Sequence, residues 1–464
     1  MSMRKLRSLG AVVAASALLL GCASVYNEPV NVPVGPHGPT DDLALNFADP
    51  AALDDLMIGL AFSGGGTRAA AYSFGVLQEM DNIPMPRSGD KMVDRIDFIS
   101  GVSGGSVTAA YFGIKKRAAL ADFRERFLLQ NAEAGLQTQL SLGTIGRALG
   151  GGINDSTAFT KWLDAHLFDG ITYGQARQTG SPRVWINASD IYNRVPFVFG
   201  ATAFDAICSD IGKFPVSQAV ATSAAVPIAF APGVVQAFPG KCNTPLPAWV
   251  QRAASNRNAS PMLNNYAKAI IRYREGAVPY IKLMDGGLVD NYGVAGFTIT
   301  RESSDTPYGP LTPQQAVKLR RAMFLVVDAK TGLSGNWVNT VQGPDGIELL
   351  KAAVDTTMDA SVGANYTAFD RTMKDYQSSL VAWRCGLSAA QRASYGARPG
   401  WNCRDLQFFV GRLGFDQLDG ERAAVLESVP TRFSLPQAQV DDVIAAGRDT
   451  LRQSPVFKAF VSGM

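Results

Sequence analysis

Ser103 stands in FISGVSGGSV (98–107) with glycines at 101 and 105, the pattern Gly-x-Ser-x-Gly. In that pattern a sharp strand-to-helix turn presents a serine hydroxyl as a nucleophile. The hydroxyl attacks well only when a base removes its proton. Histidine is the usual base, and the chain has only two. His37 falls in VYNEPVNVPVGPHGPT (25–40), a Pro/Gly-rich stretch without periodicity, and His166 in KWLDAHLF reads as a structural residue of a helix. Neither follows Ser103 at the end of a strand, where a hydrolase triad would place it.

Two other stretches carry the residue types that such a serine needs. Ser63-Gly64-Gly65-Gly66-Thr67-Arg68 lets the backbone approach a substrate with no Cβ in the way. Backbone N–H groups aimed at the oxyanion of acyl transfer are worth about 3–4 kcal/mol in the transition state. A phosphate-binding loop is the rival reading. It lacks the closing Gly-Lys-Ser/Thr, and Ala69 breaks the Gly-x-Gly-x-x-Gly spacing. The second stretch is Asp285-Gly286-Gly287, directly after the apolar run YIKLM (280–284). An aspartate there faces the crevice at the strand's carboxyl end; the bland alternative is a turn aspartate.

The elements that must position these groups are legible as apolar runs. Leu56 to Phe62, RIDFIS (95–100), RVWINA (183–188), PFVFG (196–200), YIKLM and MFLVVD (323–328) read as strands. Tyr72, Val76 and Met80 recur at helical spacing after the first glycine loop, and Val107 to Phe112 begins another helix. Strands alternating with helices predict an α/β layer fold with a mostly parallel central sheet. From about 335 onward Ile347, Leu350, Val354 and Met358 form one helical stripe, and Val440, Ile444, Gly447 and Leu451 another. Both are expected to face the core, in a helical extension with no catalytic signal of its own.

Taken together, the glycine loop, the Gly-x-Ser-x-Gly serine and the Asp-Gly-Gly aspartate, in this order, resemble the patatin-like phospholipases. The resemblance runs from about Met57 to Asp328 and includes ATSAAVPIAFAP (221–232) around Pro227. It implies a three-layer fold in which Ser103 is the nucleophile and Asp285 its base. Gly65 and Gly66 would line the oxyanion hole, with help from Gly64 and Thr67, and Arg68 would support the loop. Gly101, Gly105, Gly286 and Gly287 complete the motifs. Ser63 replaces the aspartate of plant patatins, and Ala69 a frequent glycine. The implied activity is hydrolysis of fatty acyl esters, with membrane lipid as substrate and no cofactor. An esterase or thioesterase acting on other acyl groups is the alternative, as is a non-catalytic envelope lipoprotein that keeps the fold.

Composition sets the remaining bounds. Hydrophobic content of 47% with 18% charged residues is that of a folded globular chain. A net charge of +3 without a long basic run argues against nucleic acid. Protein partners are not legible. Arg4, Lys5 and Arg7 followed by an apolar stretch from Leu9 to Leu20 read as a secretory signal. It ends in Leu19-Leu20-Gly21-Cys22, which resembles the lipobox of bacterial lipoproteins. That resemblance implies a lipid on Cys22 and, with Ala23 next, the outer membrane facing the periplasm. The expected organisation is a signal peptide over 1–21, a tether over 22–52, a catalytic domain over 53–334 and the mostly helical extension over 335–464. In an exported chain the four remaining cysteines are expected to pair, as Cys208–Cys242 and Cys385–Cys403. No cysteine pair has zinc-ligand spacing, so a metal site is not expected.

Overall fold

The computed structural model describes residues 25–35, 55–85, 89–137, 147–148, 150–177, 182–333 and 335–464. The expected signal peptide, Cys22 and His37 lie outside them. The described apolar runs assemble into one eight-stranded sheet. Its strands are β1 (Leu56–Phe62), β2 (Phe98–Val102), β3 (Arg183–Asp190), β4 (Val195–Phe199), β5 (Gly233–Gln236), β6 (Tyr280–Asp285), β7 (Arg321–Asp328) and β8 (Gln407–Gly414). The order is β5-β6-β3-β2-β1-β7-β8, with β4 also on β3. The run β3-β2-β1-β7-β8 is parallel, whereas β4 and β6 pair with β3 antiparallel.

Alternation along β1 builds two cores. Ile58, Leu60 and Phe62 belong to one apolar cluster, Met57 and Ala61 to the other, as a period of two requires. Helix α1 (Gly66–Asp81) and helix α2 (Gly104–Lys115) supply residues to the first cluster. The helix α3 (Val216–Ser223) also lies on that side, and a short helix α4 (Gly287–Asp290) follows β6. The second cluster is closed by the far half of α5 (Gly346–Cys385), through Phe369, Met373, Tyr376 and Leu380. Helix, sheet and helix make the three layers that the sequence implies.

The C-terminal extension is mostly helical, as expected, and it also contributes β8. That strand pairs with the whole of β7, from Arg321↔Gln407 to Asp328↔Gly414. Its last long helix, α6 (Gln437–Gln453), buries Val440, Ile444, Gly447 and Leu451 as its stripe predicts. It crosses α1 so closely that a Cβ on Gly75 would stand 2.1 Å from the Ile444 carbonyl oxygen. The other stripe behaves differently. Leu350 is exposed, and Val354 and Met358 are only half-buried. The buried cluster residues of α5 all come from its second half, so among the described residues its first turns have no apolar layer to face.

Residues 25–35, read as part of a tether, lie against the domain. The Asn27 amide donates to the Ala231 and Pro232 carbonyls, and its oxygen accepts from Ser156 N and Oγ. Asn31 donates to Ser209 Oγ and the Gln236 carbonyl and accepts from Gln236 N. Cys208 and Cys242 are disulfide-bonded, as are Cys385 and Cys403. The pairing inferred from the sequence is therefore the one present.

Candidate active site

Sheet register brings the two motif residues level. Val102 pairs with Asn187, and one position further along β3 Ala188 pairs with Asp285. Ser103, one residue past Val102, and Asp285 thus flank β3 at Asn187 and Ala188.

Ser103 caps α2 with φ 49° and ψ −122°. A non-glycine residue held at positive φ stores about 1–3 kcal/mol of strain, so its surroundings must fix it. They do so through hydrogen bonds. Its N–H donates to Ser223 Oγ at 2.9 Å, and Ser223 Oγ donates in turn to the Asn187 carbonyl at 2.6 Å. Its carbonyl accepts from Ser106 N and Oγ. Gly101 and Gly105 stand on either side in backbone contact, Gly105 against the Phe62 and Ser63 carbonyls.

Asp285 is buried, with its N–H on the Ala225 carbonyl and its Oδ1 accepting from Gly287 N at 2.8 Å. Burial pushes its carboxyl up to about 6, while bonds from Gly287 N–H and the Ser103 hydroxyl pull it down. The Ser103 hydroxyl thus stands beside the buried Asp285 carboxyl and favours its ionised form. Gly286 N donates to the Ser223 carbonyl, so Ser223 ties both loops together. Sequence reading singled out the stretch around Pro227 but not Ser223 within it.

The glycine loop faces the same point. Gly64 N donates to both Asn291 Oδ1 and the Asn291 carbonyl, and Thr67 N to the Arg432 carbonyl at 2.8 Å. Both amides thus already have acceptors within the protein. Gly65 and Gly66, at φ 136° and 60°, have amides with no partner among the described residues. Gly104 lies against the Gly66 carbonyl, so the loop meets the serine turn directly. The Arg68 side chain is buried and bonded to protein acceptors. Its Nε donates to the Ala329 carbonyl, Nη1 to the Val429 carbonyl and Nη2 to Thr431 Oγ1, and burial lowers its guanidinium to about 10.

Asn291 and the Val429–Arg432 stretch carry no motif, so sequence reasoning missed both. His166 stacks on the Trp162 indole at 4.0 Å with Nδ1 2.9 Å from the Trp162 carbonyl, a structural setting as expected. Among the described residues no group of three or more His, Cys, Asp or Glu is arranged to hold a metal.

A serine hydroxyl beside a buried carboxyl on a mostly parallel sheet, next to two glycine amides without a partner among the described residues, makes a candidate acyl-transfer site on an α/β fold. The model of the family described as patatin-like phospholipase matches residues 60–298, more than half of the chain, and the chain belongs to that family. Among curated proteins, none matches the chain in sequence. Two solved structures are similar. Human GIVD cytosolic phospholipase A2 has a TM-score of 0.43 at 12% identity, covering 89% of this chain and 63% of that one. VipD from Legionella pneumophila has a TM-score of 0.32 at 12% identity, covering 88% of this chain and 67% of that one. The chain thus spans less than two thirds of the human protein's chain.

Proposed function

We propose that the chain is a lipid acyl hydrolase working through a Ser103–Asp285 dyad. The observation that carries this reading is the Ser103 hydroxyl placed beside the buried Asp285 carboxyl, next to the Gly65 and Gly66 amides, which have no partner among the described residues. Ser103 Oγ attacks the ester carbonyl carbon while its proton passes to Asp285. The oxyanion is received by the Gly65 and Gly66 N–H groups. As the tetrahedral species collapses, the alcohol leaves with the proton from Asp285. Water then attacks the acyl-serine, again losing a proton to Asp285, and release of the fatty acid restores Ser103.

A carboxylate with the ordinary value of about 3.9 is a weak base for serine. Burial raises Asp285 to about 6, which brings it nearer to the alcohol while leaving it mostly ionised at neutral pH. Family membership favours a fatty acyl ester of membrane lipid. A fluorophosphonate probe on the purified protein, with product analysis on a mixed phospholipid extract, tests the proposal. It expects one adduct, on Ser103, and released fatty acid. No adduct and no product would sink it.

We also infer that the enzyme is held at the outer membrane through a lipid on Cys22, facing the periplasm. Two disulfides suit an oxidising compartment. The docked stretch from Val25 would keep such an anchor close to the domain. Cys22→Ala is expected to leave the membrane fraction with hydrolysis of a soluble ester unchanged. Mature protein without lipid on Cys22 would contradict the anchor.

A further inference from the structure

Three consecutive glycines have the largest conformational freedom a chain can have. Their amides point at one place only if both ends of the loop are fixed. The inner end is fixed by Asn291, through the Gly64 amide. The outer end is fixed by Val429–Phe433, a stretch of the C-terminal extension. There Arg68 bonds the Val429 carbonyl and Thr431 Oγ1, and the Arg432 carbonyl takes the Thr67 amide. Gly66 lies so close that a Cβ would stand 2.4 Å from the Arg432 carbonyl oxygen. The stretch is itself held in place. Glu133 bonds Arg432 Nη2 at 2.7 Å and the Phe433 amide at 2.7 Å, and Ala132 N donates to the Phe433 carbonyl.

We propose that Val429–Phe433 is the outer clamp of the oxyanion hole, with Thr431 and Glu133 as positioning residues for the step that forms the oxyanion. This rests on the reading of the site as an ester hydrolase. Between the two fixed ends lie the two unengaged amides, Gly65 and Gly66. An oxyanion hole acts through preorganised donors. Loosening one end therefore lowers turnover and leaves ground-state binding alone. Among the described residues Thr431 Oγ1 is the one side-chain acceptor of the Arg68 guanidinium, its other acceptors being the Ala329 and Val429 carbonyls. It is thus the point at which the clamp can be released without changing the loop itself.

The experiment uses the full chain as wild type, Thr431→Val, Thr431→Ser and Glu133→Gln, well below their melting temperatures. Hydrogen exchange is followed in peptides covering Gly64–Thr67, and kcat and KM are measured on p-nitrophenyl butyrate. Thr431→Val is expected to speed exchange there and to lower kcat by about tenfold to a hundredfold, with KM within twofold. Thr431→Ser, which keeps the acceptor oxygen, is expected to restore both. Glu133→Gln keeps an acceptor for the Phe433 amide but loses the ion pair, so a smaller change in the same direction is expected. It also serves if Thr431→Val fails to fold. Unchanged exchange and kcat despite a lower melting temperature would overturn the clamp, as would faster exchange with kcat unaltered, or a change in KM alone. An inactive wild type would overturn the proposed reaction instead, and the exchange comparison would still decide whether Val429–Phe433 holds the loop.

Discussion

Every side chain proposed to touch substrate lies in the stretch that matches the family, residues 60–298, and none lies in the extension beyond 335. The two regions nevertheless meet at the glycine loop. The family stretch makes the loop and aims its amides. The extension covers α1 with α6, lengthens the sheet by β8 beside β7, and takes three hydrogen bonds from Thr67 and Arg68. A second link runs through Asp328 at the end of β7, which accepts from Tyr292 Oη at 2.6 Å and from Arg412 Nη1 of β8 at 3.0 Å. Tyr292 follows Asn291, the residue on the Gly64 amide. Chemistry and support are thus divided between a region rich in motif and one that has none.

That division is broken most sharply from the catalytic side. Ser103→Ala is expected to lose ester hydrolysis on the order of 10⁴-fold or more, with its circular dichroism unchanged. Activity within a few-fold of wild type would end the assignment. Gly66→Ala should follow, with kcat falling about 10²–10³-fold. It strains a residue at φ 60° and pushes a Cβ into Arg432. A change confined to KM would make the loop a binding element instead.

Acidity gives a smaller effect with a definite sign. Asp285 must be ionised to accept a proton, so kcat/KM should fall about tenfold per pH unit below about 6 and level off above it. Stability runs the other way. Because folding raises this carboxyl, its contribution is fully present below about 4 and is lost as pH rises through about 6. Asp285→Asn should therefore melt higher than wild type at pH 8, with the advantage gone at pH 4. A melting difference that is the same at both pH values would contradict the buried, titrating carboxyl.

From the extension's side, Arg412→Ala leaves buried Asp328 with Tyr292 alone. A loss of about 1.5–3 kcal/mol is expected in urea unfolding. No loss would mean that β8 is not a working part of the sheet. The smallest effect belongs to the start of α5, where Leu349 and Leu350 are exposed among the described residues. Leu349→Ser with Leu350→Ser should change stability by about 0.5 kcal/mol or less. A larger loss would show that this half of the helix is covered.

What the sequence disclosed follows the same division. β1 and β7 were legible because a run buried on both faces is largely apolar, and the motifs stand at the carboxyl ends of β1, β2 and β6. The stripe in α6 was legible because it faces the core, mainly against α1. β5, only four residues long, and β8 were not recognised as strands. In β8 the run Gln407–Gly414 holds two glycines and an arginine, and its residues up to Val410 are half-buried or exposed, as an edge strand allows. The first stripe of α5 misled because helical periodicity fixes which residues share a face, not whether anything covers it. Ser103, Asp285 and the glycine loop were readable by residue type and spacing. Ser223, Asn291 and Val429–Arg432 act largely through backbone groups or through one side-chain oxygen, and such contacts leave no pattern in the sequence.

The dyad is tested most directly by turnover of two variants on one soluble ester. Asp285→Asn keeps the side-chain shape and removes its basicity, so kcat should drop about 10²–10⁴-fold. The double variant His37→Ala, His166→Ala, folded by circular dichroism, should stay within a few-fold of wild type. A collapse in the double-histidine variant, with Asp285→Asn still active, would mean that a histidine takes the serine's proton and that Asp285 does not.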